Sequence, residues 1–364
     1  MRRDPDNATD SVPRTAIEIA SSTASREGLP DIAVCDFALP VPGAPEVSIH
    51  VRNKRLPGKP VNDQKVVVFV HGASYAGSVV FDHPMFGGGS WLDYMAVHGF
   101  DAYVFDIRGY GRSSRPPEFT SGAGARSPYA KTADALHDLA AVVDFVRQRS
   151  GAAQVNLIGW SWGTSIAGGF AAEYGELVRN LVMVAPLWTI RNTPVVALSR
   201  WMMAAMPTPA LGTVDFLGAF RNVPKAEARK RWVRGLEDTL AEQIMPAAEF
   251  DAWWQALSAV QCTPGAENDT VRVPNGVMAD LIDIWGAGGA TYTPERIRAP
   301  TQLLWGEWDV DTPLSMAQDV FDRLRGASYK RLEVLARGTH SMALELNRVD
   351  LYRRAREFLE TRFN

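Results

Sequence analysis

The sequence contains little cysteine and lacks a long hydrophobic run. Only two cysteines occur among 364 residues, Cys35 and Cys262, so a disulfide framework is not expected. No apolar stretch is long enough to span a bilayer, and no apolar segment follows the two N-terminal arginines as it would in a secretory signal. We therefore expect a cytoplasmic protein without a membrane partner.

Strong charge of one sign and the usual metal and nucleotide motifs are also missing. The formal net charge is −3, which argues against a nucleic-acid partner. There is no His-Glu-x-x-His motif and no Cys/His cluster, and Asp309-Val310-Asp311 lacks the glycine and terminal glutamate of a calcium loop. The glycines at 87–89 and 286–289 do not follow a buried strand with dinucleotide-site spacing. We predict neither a metal nor a cofactor.

Strand and helix patterns alternate along most of the chain. Apolar runs typical of buried strands occupy residues 65–72, 101–109, 154–159, 181–188, 301–309 and 330–338. Two earlier strand-like segments, separated by a Pro/Gly turn, suggest an antiparallel pair at 31–39 and 47–55. Helical patterns occupy 130–151, 161–175, 314–325 and 347–363. The alternation predicts an α/β fold, a mostly parallel sheet of about eight strands with helices on both faces.

A stretch rich in tryptophan and methionine interrupts this alternation. Its periodicity is helical, with basic interludes such as KAEARKRWVR at 225–234. We expect a mostly helical insertion after the sixth strand, with a small core of its own and some side chains that line a cavity. The expected organisation is an N-terminal extension at 1–30, a core at 31–188 and 298–364, and a helical cap at 189–297.

The segment Gly159-Trp160-Ser161-Trp162-Gly163 stands where a buried strand ends and a helix begins. A sharp strand-to-helix turn lifts the side chain at its apex above the sheet, and its flanking residues must be small. The helix N-terminus there favours developing negative charge. Ser161 is therefore a candidate nucleophile. We expect the Trp162 side chain to form a pocket wall and Trp160 to pack against the sheet or an adjacent loop.

Taken in order, these segments resemble the α/β-hydrolase superfamily over residues 31–364. The motifs that carry the resemblance are VFVHGAS (68–74), DIRGYGRSS (106–114), GWSWG (159–163), LLWGEWDVDTP (303–313) and RGTHSMALE (337–345). The chain order Ser…Asp…His is that of the family. The resemblance implies a cap placed over the active site.

The resemblance also implies a catalytic role for three side chains. Ser161 would be the nucleophile, His340 the base that takes its proton, and Asp309 the acid that orients the histidine. Asp309 matches the family spacing G-x-x-D after Gly306, and Asp311 is the alternative acid.

An oxyanion hole is implied at two backbone N–H groups, those of Ala73 and Trp162. Ser74 is a less favoured second donor, and His71 is expected to be structural.

The sequence departs from the family pattern before the histidine. Thr339 stands between Gly338 and His340, where the family often has glycine directly before the histidine. Glu345 matches a common H-x4-E spacing and is a candidate to support the histidine loop. Serine rather than aspartate at position 161 disfavours the dehalogenase and epoxide hydrolase activities of this fold.

The function that we expect is hydrolysis of a small hydrophobic ester or lactone with a sizeable apolar group. The same residues would also serve a C–C bond hydrolase acting on a ring-cleavage diketone, or an acyltransferase. A non-enzymatic ligand receptor is disfavoured because the Ser, Asp and His positions are all occupied. The substrate and the oligomeric state are left open by the sequence.

Overall fold

The computed structural model describes residues 16–26, 28–117, 119, 127–189, 217–261 and 269–363. Its strands are β1 (Ile17–Ala24), β2 (Ile32–Val41), β3 (Ala44–Arg55), β4 (Val66–Val70), β5 (Asp101–Phe105), β6 (Val155–Trp160), β7 (Val178–Val184), β8 (Phe220–Pro224), β9 (Thr270–Pro274), β10 (Thr301–Gly306) and β11 (Lys330–Leu335). Nine strands form one sheet in the order β1-β2-β3-β5-β4-β6-β7-β10-β11, and β8 pairs with β9 separately.

The helices lie between these strands in the chain. They are α1 (Gly77–Val80), α2 (Trp91–Val97), α3 (Thr132–Ser150), α4 (Trp162–Glu173), α5 (Lys225–Trp232), α6 (Asp238–Ile244), α7 (Ala247–Gln261), α8 (Gly276–Asp280), α9 (Leu314–Arg323) and α10 (Arg348–Glu360). A π-helical turn, Leu281–Trp285, continues α8. Within the described ranges, no helix has the length and apolar character needed to cross a membrane.

The main sheet confirms the predicted α/β fold and its mostly parallel order. Six strands pair in parallel, in the order β5-β4-β6-β7-β10-β11. The three pairings at the other edge, β1 with β2, β2 with β3 and β3 with β5, are antiparallel. All five residues of β4 are 0 % exposed, because a central parallel strand is covered on both faces.

The ninth strand, β1, lies in the segment that we expected as an N-terminal extension. Nearly all of its residues are exposed, and it pairs only with β2 at the edge of the sheet. Its sequence, IEIASSTA, has few apolar residues to bury, which is why it carries no buried-strand pattern. Residues 1–15 of the same segment lie outside the described residues.

The insertion combines helices with a short β-ribbon. Besides helices α5 to α8, the insertion contains two antiparallel strands, β8 and β9. This two-stranded ribbon was not predicted. Aromatic side chains of α5 and α7 pack edge to face or tilted on one another and form a small core: Trp232, Phe250, Trp253 and Trp254. Residues 190–216 and 262–268 of the expected cap lie outside the described residues, and with them Trp201, Met202, Met203 and Met206.

A buried ion pair anchors the loop after β5 to helix α3. Arg108 donates from Nε and Nη2 to the carboxylate of Asp138, with 2.6 Å between Nη2 and Oδ1. Arg108 is 7 % exposed and Asp138 is fully buried. The pair therefore fixes a loop that lies beside the carboxyl end of the central strands.

We expect Arg108→Gln to lower the free energy of unfolding by about 3–5 kcal/mol, because it leaves the buried carboxylate of Asp138 without its charged partner. Arg353→Gln is the control, since it breaks ion pairs on the exposed surface of α10 and should cost much less. Urea denaturation followed by tryptophan fluorescence measures both losses. Equal losses would contradict the structural role of the buried pair.

Candidate active site

The bend between β6 and α4 holds Ser161 in an unusual backbone conformation. Its φ is 55° and its ψ is −121°, a region that costs a non-glycine residue about 1–3 kcal/mol. A Cβ atom on Gly159 would lie 2.5 Å from the carbonyl oxygen of Gly163, and one on Gly163 would overlap the carbonyl oxygen of Val70. Both flanking positions therefore require glycine.

Three predicted side chains form one hydrogen-bonded chain. The Ser161 Oγ lies 2.9 Å from Nε2 of His340, and Nδ1 of His340 lies 2.9 Å from Oδ2 of Asp309. Asp309 is in the loop after β10 and His340 is in the loop after β11. The loops meet because the carboxyl ends of parallel strands lie along the same edge of the sheet.

The carboxylate of Asp309 is buried and fully supplied with donors. Its Oδ1 accepts from the backbone N–H groups of Asp311 and Thr312, and its Oδ2 accepts from the Thr312 hydroxyl at 2.7 Å. Burial acts to raise the pKa of Asp309, but the positive charge and hydrogen bond of His340, with the Thr312 donors, outweigh it and hold the pKa below its usual value. The group is therefore ionised at neutral pH and suited to balance a charge on the imidazole.

Asp311, the alternative acid, points to different partners. Its Oδ2 accepts from Nε of Arg231 at 2.8 Å, and its Oδ1 accepts from Arg234. Both arginines belong to the insertion. The structure thus pairs His340 with Asp309 and pairs Asp311 with the cap.

The two residues whose backbone N–H groups are expected to form an oxyanion hole lie near Ser161. Ala73 lines the same cavity as Ser161, and Trp162 is the first residue of helix α4. Within the part of the chain that the structure describes, neither N–H donates to a backbone carbonyl oxygen in a turn or loop. An oxyanion hole at these two groups stays a prediction.

His71 holds the loop that carries Ala73. The imidazole is 0 % exposed, its Nε2 accepts from the N–H of Ile107 at 3.0 Å, and its Nδ1 lies 2.7 Å from the carbonyl oxygen of Gly72. Burial lowers the pKa of His71 to about 4, so the ring is neutral and acts as a structural link.

Ser74, the next residue of this loop, has a φ of 81° and is held by the insertion. Its hydroxyl accepts from Nη2 of Arg221 at 3.2 Å, and its carbonyl oxygen accepts from Nε2 of Gln261 at 2.7 Å. The loop is therefore fixed from both the core and the cap.

Of the two tryptophans beside Ser161, Trp160 packs against an adjacent loop as expected, whereas Trp162 does not form a pocket wall. Trp160 lines the cavity, its ring centroid lies 5.5 Å from that of His340, and its Nε1 donates to the His340 carbonyl oxygen. Trp162 is fully buried and donates from Nε1 to the hydroxyl of Thr132 at 2.9 Å. The expected pocket wall at Trp162 is wrong, because the first turn of α4 packs that indole against the start of α3.

The cavity above Ser161 combines core and cap residues. It is lined by Ala73, Tyr75, Trp160, Ser161, Arg231, Trp232, Asp311, His340 and Ser341. Sequence reasoning did not assign Tyr75, Arg231 or Ser341 to the cavity, and it expected only in general terms that aromatic residues of the insertion, Trp232 among them, would line it. Tyr75 directly follows the VFVHGAS motif and could have been found from it, whereas Arg231 and Trp232 lie in a basic helix without a known motif. No group of metal-ligating side chains occurs among the residues that the structure describes.

Glu345 links the histidine loop to the insertion. It is 0 % exposed, its Oε1 accepts from Nε1 of Trp232 at 3.0 Å and from the Thr339 hydroxyl, and its Oε2 accepts from the N–H of Thr339 at 3.0 Å. Threonine at position 339 thus supplies two donors to this carboxylate. Burial raises the pKa of Glu345 to about 7, even though these donors act to lower it.

The raised pKa of Glu345 makes stability depend on pH. Between pH 4.5 and about 7, the folded protein holds a proton that the unfolded chain has released, so this contribution is lost as the pH rises. We expect the wild type to lose about 1–3 kcal/mol more unfolding free energy across this window than Glu345→Gln. Urea denaturation at several pH values measures the difference.

Glu307→Gln is the control for this experiment, since it changes an exposed glutamate in the loop after β10. It should retain the pH dependence of the wild type. The same pH dependence in the wild type and in Glu345→Gln would contradict the prediction.

Comparison with known proteins places these features in a family. A family model described as the alpha/beta hydrolase fold matches residues 65–342. The human protein (lyso)-N-acylphosphatidylethanolamine lipase is 27 % identical over 129 residues, which are 34 % of this chain and 31 % of that protein. The chain therefore spans about a third of the length of this curated relative.

Solved structures of low sequence identity share the fold. A 2-hydroxy-6-oxo-6-phenylhexa-2,4-dienoate hydrolase from Rhodococcus has a TM-score of 0.57 at 14 % identity, over 94 % of this chain and 100 % of that one. An enol-lactonase from Burkholderia xenovorans has a TM-score of 0.56 at 14 % identity, over 88 % of this chain and 98 % of that one. Because the family model covers most of the sequence, the chain belongs to the alpha/beta hydrolase fold family.

Proposed function

We propose that the chain is a serine hydrolase that cleaves an ester or lactone with a sizeable apolar group through an acyl-enzyme on Ser161. The observation that carries this proposal is the chain of two 2.9 Å contacts from Ser161 through His340 to Asp309, which opens into a cavity. A serine hydroxyl needs a base within hydrogen-bond reach, and the base needs a group that orients it.

In the first half-reaction, the Oγ of Ser161 attacks the carbonyl carbon while Nε2 of His340 takes the hydroxyl proton. Asp309 accepts a hydrogen bond from Nδ1–H and balances the imidazolium charge. The carbonyl oxygen becomes an oxyanion, which the N–H groups of Ala73 and Trp162 stabilise. The C–O bond then breaks, and His340 returns the proton to the leaving alcohol oxygen.

In the second half-reaction, water attacks the acyl-enzyme and His340 takes a proton from it. The second oxyanion collapses, the bond to Ser161 breaks, and His340 returns the proton to the serine oxygen. An ester yields an acid and an alcohol. A lactone yields one hydroxy acid, because its leaving oxygen stays attached to the acyl group.

Aromatic walls support an apolar substrate. Trp160 and Trp232 line the cavity from the core and from the cap. The ring of Tyr75 packs edge to face on Trp253, with 4.9 Å between their centroids. Such walls bind apolar groups by excluding water from them.

We expect Ser161→Ala to lower kcat by about 10⁴–10⁶-fold, the range known from subtilisin, because the attacking oxygen is removed. Ser165→Ala is the control, since this buried serine on α4 donates to the carbonyl oxygen of Leu187 and does not line the cavity. Both are assayed on aryl esters and lactones with apolar acyl groups, beside a vinylogous diketone. Near wild-type turnover by Ser161→Ala, or turnover of the diketone alone, would contradict the proposal.

We expect Asp309→Asn to lower kcat by about 10⁴-fold, as the corresponding change does in the chymotrypsin triad, because the amide no longer holds the productive tautomer of His340. Asp311→Asn is the matched control two positions away and should have a much smaller effect, since its carboxylate binds arginines of the cap. Steady-state kinetics on one ester compares them. A larger loss from Asp311→Asn would reverse the assignment of the acid.

A further inference from the structure

Arg231 presents unused donors to the cavity above Ser161. Its Nε is held by Asp311 at 2.8 Å, and its side chain is about half exposed at the cavity. In the described part of the chain, its two terminal nitrogens have no hydrogen-bond acceptor. A guanidinium fixed through Nε presents its remaining N–H groups as a fork that matches a carboxylate or a phosphate.

Arg221, a second arginine of the insertion, lacks a carboxylate partner among the described residues. Its Nη1 donates to the carbonyl oxygen of Pro274 at 2.9 Å and to Oδ1 of Asn275 at 3.1 Å. Its Nη2 donates to the hydroxyl of Ser74 at 3.2 Å. All three acceptors are neutral, so the positive charge of a partly buried guanidinium is left unbalanced.

Only one of the two arginines lines the cavity above Ser161, and it is Arg231. Arg221 is not among the lining residues; it contacts the hydroxyl of Ser74, in the loop that also carries Ala73. Arg231 is therefore the guanidinium that a bound substrate can contact.

The carboxylate of Asp311 is shared between two arginines. Arg231 and Arg234 both contact it, Arg231 from Nε at 2.8 Å. Because two guanidinium groups face one carboxylate, Asp311 does not balance the charge of both.

We infer that the substrate carries an anionic group, a carboxylate or a phosphate, which binds to the terminal N–H groups of Arg231 while its ester or lactone carbonyl lies at Ser161. The inference rests on the proposed function and narrows its substrate class to amphiphiles with an apolar part and an anionic group. The aromatic walls receive the apolar part, and Arg231 receives the charge.

A purely structural role for the arginines makes a different prediction. Arg221 holds the hydroxyl of Ser74, and Arg231 ties the cap to Asp311, so a structural defect would slow neutral and anionic substrates equally. If Arg231 contacts the anionic group directly, its substitution lowers kcat/KM for the anionic ester more than for a neutral ester of the same length. A pair of matched substrates therefore separates the two roles.

Two pairs of substrates test the inference and locate the charge. The mono-p-nitrophenyl ester of suberic acid and p-nitrophenyl octanoate differ by a carboxylate on the acyl side. Octanoyl glycerol 3-phosphate and octanoyl glycerol differ by a phosphate on the alcohol side. We expect kcat/KM of the wild type to be about 10- to 100-fold higher for the anionic member of at least one pair, and added salt to reduce this preference.

Arg231→Gln is expected to lower kcat/KM for the preferred anionic ester far more than for its neutral partner. Arg234→Gln is the matched control, since Arg234 shares Asp311 with Arg231 but does not line the cavity. It should retain the preference. A wild type without preference in either pair, a preference that survives Arg231→Gln, or equal losses on both members of a pair would overturn the inference.

A binding measurement separates this inference from the proposed function. Isothermal titration of Ser161→Ala with octanoate, octyl phosphate and octanol requires no catalysis. If octanoate or octyl phosphate binds more tightly than octanol, and the difference disappears in the double variant Ser161→Ala/Arg231→Gln, the anionic subsite is supported even if no ester is hydrolysed. Equal affinity for octanoate, octyl phosphate and octanol overturns the anionic subsite. The hydrolase proposal would then depend only on the kinetic results for Ser161→Ala and Asp309→Asn.

Discussion

The close approach of two backbone segments at Gly159 and Gly163 is the constraint on which the site depends. The carbonyl oxygen of one glycine occupies the space that a side chain on the other would need, so the strand turns into the helix without an intervening loop. Ser161 is held at the apex by its N–H, which donates to the carbonyl oxygen of Val184 on the neighbouring strand. The sheet thus offsets the strain at the apex and directs the hydroxyl toward His340.

The insertion contacts each of the three loops that complete the site. Arg221 reaches the hydroxyl of Ser74 in the loop after β4, and Arg231 reaches Asp311 in the loop after β10. In the histidine loop, Glu345 accepts from the indole of Trp232 on the cap helix α5. The insertion therefore adds fixed charges and aromatic side chains at each of the three loops beside Ser161, His340 and Asp309.

The sequence predicted what depends on short-range pattern. The continuous apolar run of β4 indicated a strand covered on both faces, and glycines on either side of Ser161 indicated a tight turn with a projecting side chain. The resemblance to the family, through its spacing after Gly306, favoured Asp309, which is the carboxylate that meets His340. Each of these features follows from neighbours within a few residues, so the pattern is visible without tertiary information.

The remaining features depend on contacts between distant segments. Strand β1 is polar and exposed, and its position becomes apparent only from its pairing with β2. The orientations of Trp160 and Trp162 depend on what helix α3 and the histidine loop place beside them. Arg231 stands in a basic helix whose neighbour across the cavity, Asp311, is eighty positions away. No local periodicity encodes such a pairing.

Covalent labelling with a fluorophosphonate, followed by peptide mapping, tests the central claim most directly, because the reagent reports an activated serine without knowledge of the substrate. The account predicts a single phosphonylated residue, Ser161, and loss of labelling when the protein is unfolded before the reagent is added. A stable adduct on another serine of the folded protein, with Ser161 unmodified, would contradict it.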